Sequence, residues 1–213
     1  MNTEAFSILI QEWETDRAIT GKMLLEALAA TGVLREDIEE DVWLQMLPSN
    51  RAFSLSNPLP EDVDVLDIAT HLSGLNRYHG GTLLTVAEHS VRCSRRAPPG
   101  LELEALHHDS HEAYLGDIAG PMKRLLGPEY AALEKKVDQA VRWAFKLPFP
   151  PSPEIKEIDR RMLQTERLQL FGAEPKPWGL DAEPYDEKIE SWPRYKACDL
   201  FVAWHNELIG GRA

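Results

Sequence analysis

Helix start and stop signals recur along this chain, and almost nothing in it alternates with the two-residue period of a strand. Ser152-Pro153-Glu154 supplies an N-cap, a proline at the first helical position and an acid in the first turn, which predicts a helix to Phe171 before Gly172. Thr85-Val86-Ala87-Glu88 reads as a capping box for a helix to Ala97, stopped by Pro98-Pro99. Asp64 is the expected N-cap of a helix over 64–73. Further helices are expected over 3–31, 35–47 (closed by Pro48), 101–115, from Pro128 to about Lys146, and from Pro193 to Ile209. The Pro-rich stretch 174–184 reads as a loop or extended arm, and no internal repeat is present. The expected fold class is all-α.

At 213 residues the chain suits one domain, or one domain with an appendage, and is long enough to bury a core. Its net charge of -12 argues against binding duplex nucleic acid, which needs a basic face. A local basic pocket could still hold one small phosphate compound. Cys93 and Cys198 form no CxxC pair, so no zinc ribbon is expected, and both read as buried thiols of a reducing compartment. The first residues lack the pattern of a secretory signal, and no stretch approaches the ~18 apolar residues of a membrane span. A cytoplasmic protein with no membrane partner is expected.

The chemistry-bearing residues concentrate in Leu106-His107-His108-Asp109-Ser110-His111-Glu112. On one continuous helix, His108 and Glu112 would be i and i+4, with Asp109 at the edge of the same face. Neutral imidazole and carboxylate oxygen are good ligands for Zn, Mn, Fe or Co. His89 shares a helix face with Val86, Cys93 and Ala97, so its imidazole is expected to point inward. Asp159 follows Ile155 by four and precedes Met162 by three, which puts an acid on a core stripe. A buried lone carboxylate costs several kcal/mol unless paired or metal-bound. Taken singly, a core His or Asp is more often just hydrogen-bonded. The ensemble of His, HDxxE and Asp on separate helices is what points to a metal.

The order His89…His108-Asp109…Asp159 resembles the H…HD…D signature of the HD superfamily of metal-dependent phosphohydrolases. Over roughly residues 50–170 the chain looks like the branch containing bacterial 5'-deoxynucleotidases and phage deoxynucleoside triphosphohydrolases. The similar segments are Arg51-Ala-Phe-Ser-Leu, Asp67-Ile-Ala-Thr-His-Leu-Ser, Arg77-Tyr78-His-Gly, Val86-Ala-Glu-His89-Ser, His108-Asp-Ser-His-Glu112-Ala-Tyr-Leu-Gly-Asp117 and Pro121-Met-Lys123. The resemblance implies a helical bundle over 49–213, with residues 1–48 an added helical segment that has no counterpart. It implies one divalent metal (Mn, Co, Zn or Fe) on His89, His108, Asp109 and Asp159, with Asp199 the rival for the last position. It implies Glu112 as the catalytic carboxylate beside the attacking water, with Asp117 a second acid of the site. Arg77 and the aromatic after it hold the phosphate; relatives often carry Trp or Phe where this chain has Tyr78. The turn Asp117-Ile118-Ala119-Gly120 contacts the nucleotide, and Lys123 offers a point charge to phosphate. The activity so implied is hydrolysis of a 5'-phosphate ester, with a deoxynucleoside monophosphate preferred. A dNTP that releases triphosphate, and a non-catalytic signalling or scaffold domain, are the alternatives. A homo-oligomer, dimer or higher, is expected.

Overall fold

Side-chain capping fixes where two helices of the computed structural model begin. The structure describes residues 41–173 and 176–211, of which all from Trp43 onward belong to a unit running from Trp43 to Ala213. The helix expected over 3–31, and the 35–40 part of the one expected over 35–47, lie outside the described residues. Helix α1 (Val65–Leu72) starts at Asp64, whose carboxylate accepts from the backbone N–H groups of Leu66 and Asp67. Helix α2 (Val86–Arg96) starts at Thr85, whose hydroxyl accepts from the Glu88 N–H. The capping box is only half formed. The Glu88 carboxylate turns inward instead, to Arg92 and to the backbone N–H of Trp192. Helix α6 (Pro153–Leu170) and helix α7 (Arg194–Gly210) begin and end within a residue of the sequence expectation.

Two readings are corrected. Residues 43–47 are not helical: Trp43–Gln45 (β1) pairs antiparallel with Ala52–Ser54 (β2), Leu44 opposite Phe53. The strand pairing lets this hairpin bury Met46 and Phe53 completely, with Phe53 stacked on Tyr114 at 3.8 Å. A helix through 47 would meet Pro48 and leave that apolar edge without a partner. Among the described residues this small sheet qualifies the all-α expectation.

The second correction matters more for the site. Residues 101–115 do not form one helix. They form α3 (Glu102–Leu106) and α4 (Glu112–Leu115), joined by tight turns over 107–111. The physical cause is side-chain competition for backbone groups. The His108 Nδ1 bonds the Ala105 carbonyl at 2.8 Å, the acceptor a continuing helix would give to the Asp109 N–H. His107 is drawn into the core, bonded to Ser110 Oγ and to His205 Nδ1.

Helix α5 (Gly120–Ala144) is broken at Gly127, whose φ of 79° is a left-handed value that glycine adopts without strain. Its second run starts at Pro128, as the sequence suggested. One core cluster gathers Phe53, Ile68, Leu72, Val91, Leu106, Val141 and Phe201 from β2 and helices α1, α2, α3, α5 and α7. A second gathers Leu84, Cys93, Ala105, Ile155, Ile158 and Met162. His89, His108 and Asp159 each lie within four residues of members of that second cluster.

Candidate metal centre

Helix α2, the 107–111 turn and helix α6 bring four side chains to one point. His89 Nε2 lies 3.3 Å from His108 Nε2, 3.2 Å from Asp159 Oδ1 and 3.7 Å from Asp109 Oδ2. His108 Nε2 lies 3.1 Å from Asp109 Oδ2 and 3.8 Å from Asp159 Oδ1. Metal bonds of about 2.0–2.2 Å set neighbouring ligand atoms about 2.8–3.6 Å apart in octahedral or tetrahedral geometry. The observed separations fall in or just outside that range. His89 comes from the buried face of α2 and is fully shielded, while the Asp159 side chain is 37% exposed at the mouth.

The tautomers suit ligation. His89 Nδ1 bonds Glu166 Oε1 at 2.6 Å, and His108 Nδ1 bonds the Ala105 carbonyl. An Nδ1 proton on each ring satisfies these outward bonds, so in the neutral form each Nε2 can aim a lone pair at the shared point. Two such nitrogens and two carboxylates make the centre rich in acceptors. A cation is what this donor set calls for. The surrounding anions favour positive charge here, which a proton on either ring or a bound cation would supply. Burial pushes both imidazoles down, but the surrounding anions carry them well above their ordinary range: Asp109 and Asp159 for His108; Cys93, Glu166 and Asp159 for His89. Asp159 is raised by desolvation, yet bonds to the two imidazoles hold it well below its usual range.

Glu166 organises one side of the centre. It is fully buried and accepts from Arg77 Nε at 3.0 Å, Tyr78 Oη at 2.6 Å and His89. Arg77 also reaches Asp109, its Nη1 being 3.8 Å from Oδ2. Tyr78 holds a positive φ of 61°, an uncommon conformation for a bulky residue, and its ring packs on Phe171 at 4.8 Å. Its hydroxyl does what a Phe there could not, by joining the Glu166 network.

On the other side, a cleft of about 660 Å³ opens beside the centre. His108 and Asp159 line it, with Lys123, Glu134, Lys135 and Lys156 among its charged walls. Glu112 begins α4 just beyond the HD turn. Burial, with Asp109 and Asp117 nearby, raises its carboxyl well above the ordinary range. One of its oxygens, Oε2, is buried without a hydrogen-bond partner, and the other lies 3.6 Å from Lys123 Nζ. Lys123 and His111 share Glu134.

Asp117, Ile118 and Ala119 are half-buried in the link between α4 and α5, and Gly120 is exposed at the start of α5; none lines the cleft. Asp199 is exposed on α7, His79 is exposed, and Arg51 bonds the Glu61 carbonyl. His107 serves packing, stacked on Phe145 at 4.1 Å. Sequence reasoning passed over Glu166 as a network residue. The signal was there: it lies seven residues after Asp159, hence on the same face of α6.

No protein-family profile matches the chain. It is 42% identical to the uncharacterized protein YfdR of Escherichia coli, across 66% of this chain and 74% of YfdR. It is 36% identical to the uncharacterized protein RCAP_rcc00048 of Rhodobacter capsulatus, across 61% of this chain and 74% of that protein. The chain belongs to the same family as YfdR.

Proposed function

We propose that the protein is a divalent-metal phosphohydrolase of the HD type that removes the 5'-phosphate of a deoxynucleoside monophosphate. The observation that carries this reading is the convergence of His89, His108, Asp109 and Asp159 on one point with both imidazole Nε2 atoms facing inward. A divalent ion held there would supply Lewis acidity to a phosphoryl oxygen and to the attacking water. The protein's own groups do the rest. Glu112 orients the water and accepts its proton through the carboxylate oxygen that has no other partner. Arg77, anchored through Nε by Glu166, keeps Nη donors for the phosphate oxygens. Lys123 sits in the cleft wall as a further positive charge.

A triphosphate substrate is favoured by one specific feature. Lys135 and Lys156 also line the cleft, where they would offset charge beyond the first phosphate. A panel of dNMPs, dNTPs and NMPs incubated with Mn²⁺, Co²⁺, Zn²⁺ or Mg²⁺ tests both readings. Metal-dependent phosphate release from dNMPs supports the first. Intact triphosphate from dNTPs with dNMPs untouched replaces it with the second. No hydrolysis of any nucleotide under any metal leaves a non-catalytic helical domain.

A further inference from the structure

A fifth donor stands at the centre. Cys93 follows His89 by four on α2, so both project from the same helix face. Its Sγ lies 3.5 Å from His89 Nε2, and Sγ and the ring nitrogens of His89 and His108 all lie within 4.8 Å of one another. The side chain is 1% exposed and belongs to the apolar cluster that includes Leu84, Ala105, Ile155 and Met162. Five donors set ligand–metal–ligand angles of about 90–120°, so a sulfur bond of ~2.3 Å and a nitrogen bond of ~2.0–2.1 Å put those two ligands about 3.1–3.8 Å apart. The Cys93–His89 spacing falls within that range.

We propose that Cys93 is a thiolate ligand of this centre, giving it a preference for thiophilic ions such as Zn²⁺, Co²⁺ or Cd²⁺ over Mg²⁺ and Mn²⁺. The inference rests on the metal centre proposed above and adds to it a soft donor. Ligation exchanges the thiol proton for the metal: the S–H bond breaks, the sulfur pair binds the ion, and the proton leaves to solvent, so no oxidant or reductant is needed. Oxygen-preferring ions gain little from a sulfur ligand, whereas a softer ion gains a strong one. His89, Cys93 and His108 then form one face of the coordination sphere, and Asp109 and Asp159 the other.

The test loads the full-length, metal-free protein with Co²⁺ and records its absorption. Ligand-field bands in the visible report a bound ion, and sulfur-to-cobalt charge transfer in the near ultraviolet reports a thiolate on it. The wild-type protein should show both. Cys198→Ser should keep both, and Cys93→Ser should keep the visible bands and lose the charge transfer. Losing even an outer partner of a metal ligand costs 10–100-fold in affinity, and a sulfur donor serves Zn²⁺ far better than Mn²⁺, so Cys93→Ser should lower the Zn²⁺-over-Mn²⁺ affinity ratio by about tenfold. Visible bands without charge transfer in the wild-type protein overturn this inference and leave the metal centre standing. Absence of both sets of bands overturns the centre as well. The wild-type spectrum decides the matter even where a substituted protein folds poorly.

Discussion

Replacing Glu166 should damage the protein before any substrate is added. Its carboxylate is fully buried and takes three bonds, from the Arg77 guanidinium, the Tyr78 hydroxyl and the His89 imidazole. Glu166→Ala strips Arg77 Nε, Tyr78 Oη and His89 Nδ1 of their acceptor and leaves the guanidinium, only about a tenth exposed, with Asp109 at 3.8 Å as its remaining anion. Breaking a buried ion pair on one side costs about 3–5 kcal/mol. For a chain of this length each kcal/mol shifts the melting temperature by about 2–4 °C, so a loss of roughly 6–20 °C is expected. Glu166→Gln keeps one acceptor oxygen but points an amide N–H₂ at another donor, for a smaller loss of about 1–3 kcal/mol. Thermal denaturation of the metal-free proteins is the assay, because bound metal would add its own stabilisation. Melting of metal-free Glu166→Ala within 2 °C of wild type would refute the network's role.

Other outcomes follow from the same geometry. Glu112→Ala should retain the metal and lose turnover by roughly two to four orders of magnitude, read as kcat with metal content measured in parallel; a near-normal rate would remove Glu112 from the chemistry. On a dNMP, Arg77→Ala should be far more damaging to kcat/KM than Lys123→Ala, whereas on a dNTP Lys123→Ala should raise KM strongly; the reverse ranking on a dNMP contradicts the assignment. Stability should also fall on acidification. Burial lowers the His205 imidazole from its ordinary value to about 4. The unfolded chain then binds the proton first, so this contribution is whole above pH ~6.5 and is lost as pH falls toward 4, by on the order of 2–3 kcal/mol. Melting curves from pH 7 to 4.5 should show that slope in wild type and a shallower one in His205→Gln; parallel curves would exclude His205 as its source.

Much of this fold was legible because helix ends are written locally. Asp64 and Thr85 each cap a start within their own next three residues, and Pro153 at the first helical position marks another. The hairpin 43–54 was not legible, because its apolar residues are arranged by pairing and by the distant ring of Tyr114. The helix drawn through 101–115 failed for a related reason. Whether His108 takes the Ala105 carbonyl depends on what its Nε2 faces, and that is set by α2 and α6. The inward placement of His89 and Asp159 was readable from apolar neighbours at helical spacing. That His89, Arg77 and Tyr78 share one carboxylate was not, since the segments are 77 to 89 residues from Glu166 in sequence.

The central claim is that four side chains form one metal site, and metal stoichiometry tests it most directly. Protein stripped of metal, reconstituted with Zn²⁺ or Mn²⁺ and freed of excess should carry about one ion per chain in wild type. His108→Ala and Asp109→Ala, folded by circular dichroism, should carry little or none and hydrolyse no nucleotide. Full metal content in both variants, or undiminished hydrolysis by the stripped wild-type protein in chelator, would contradict the account.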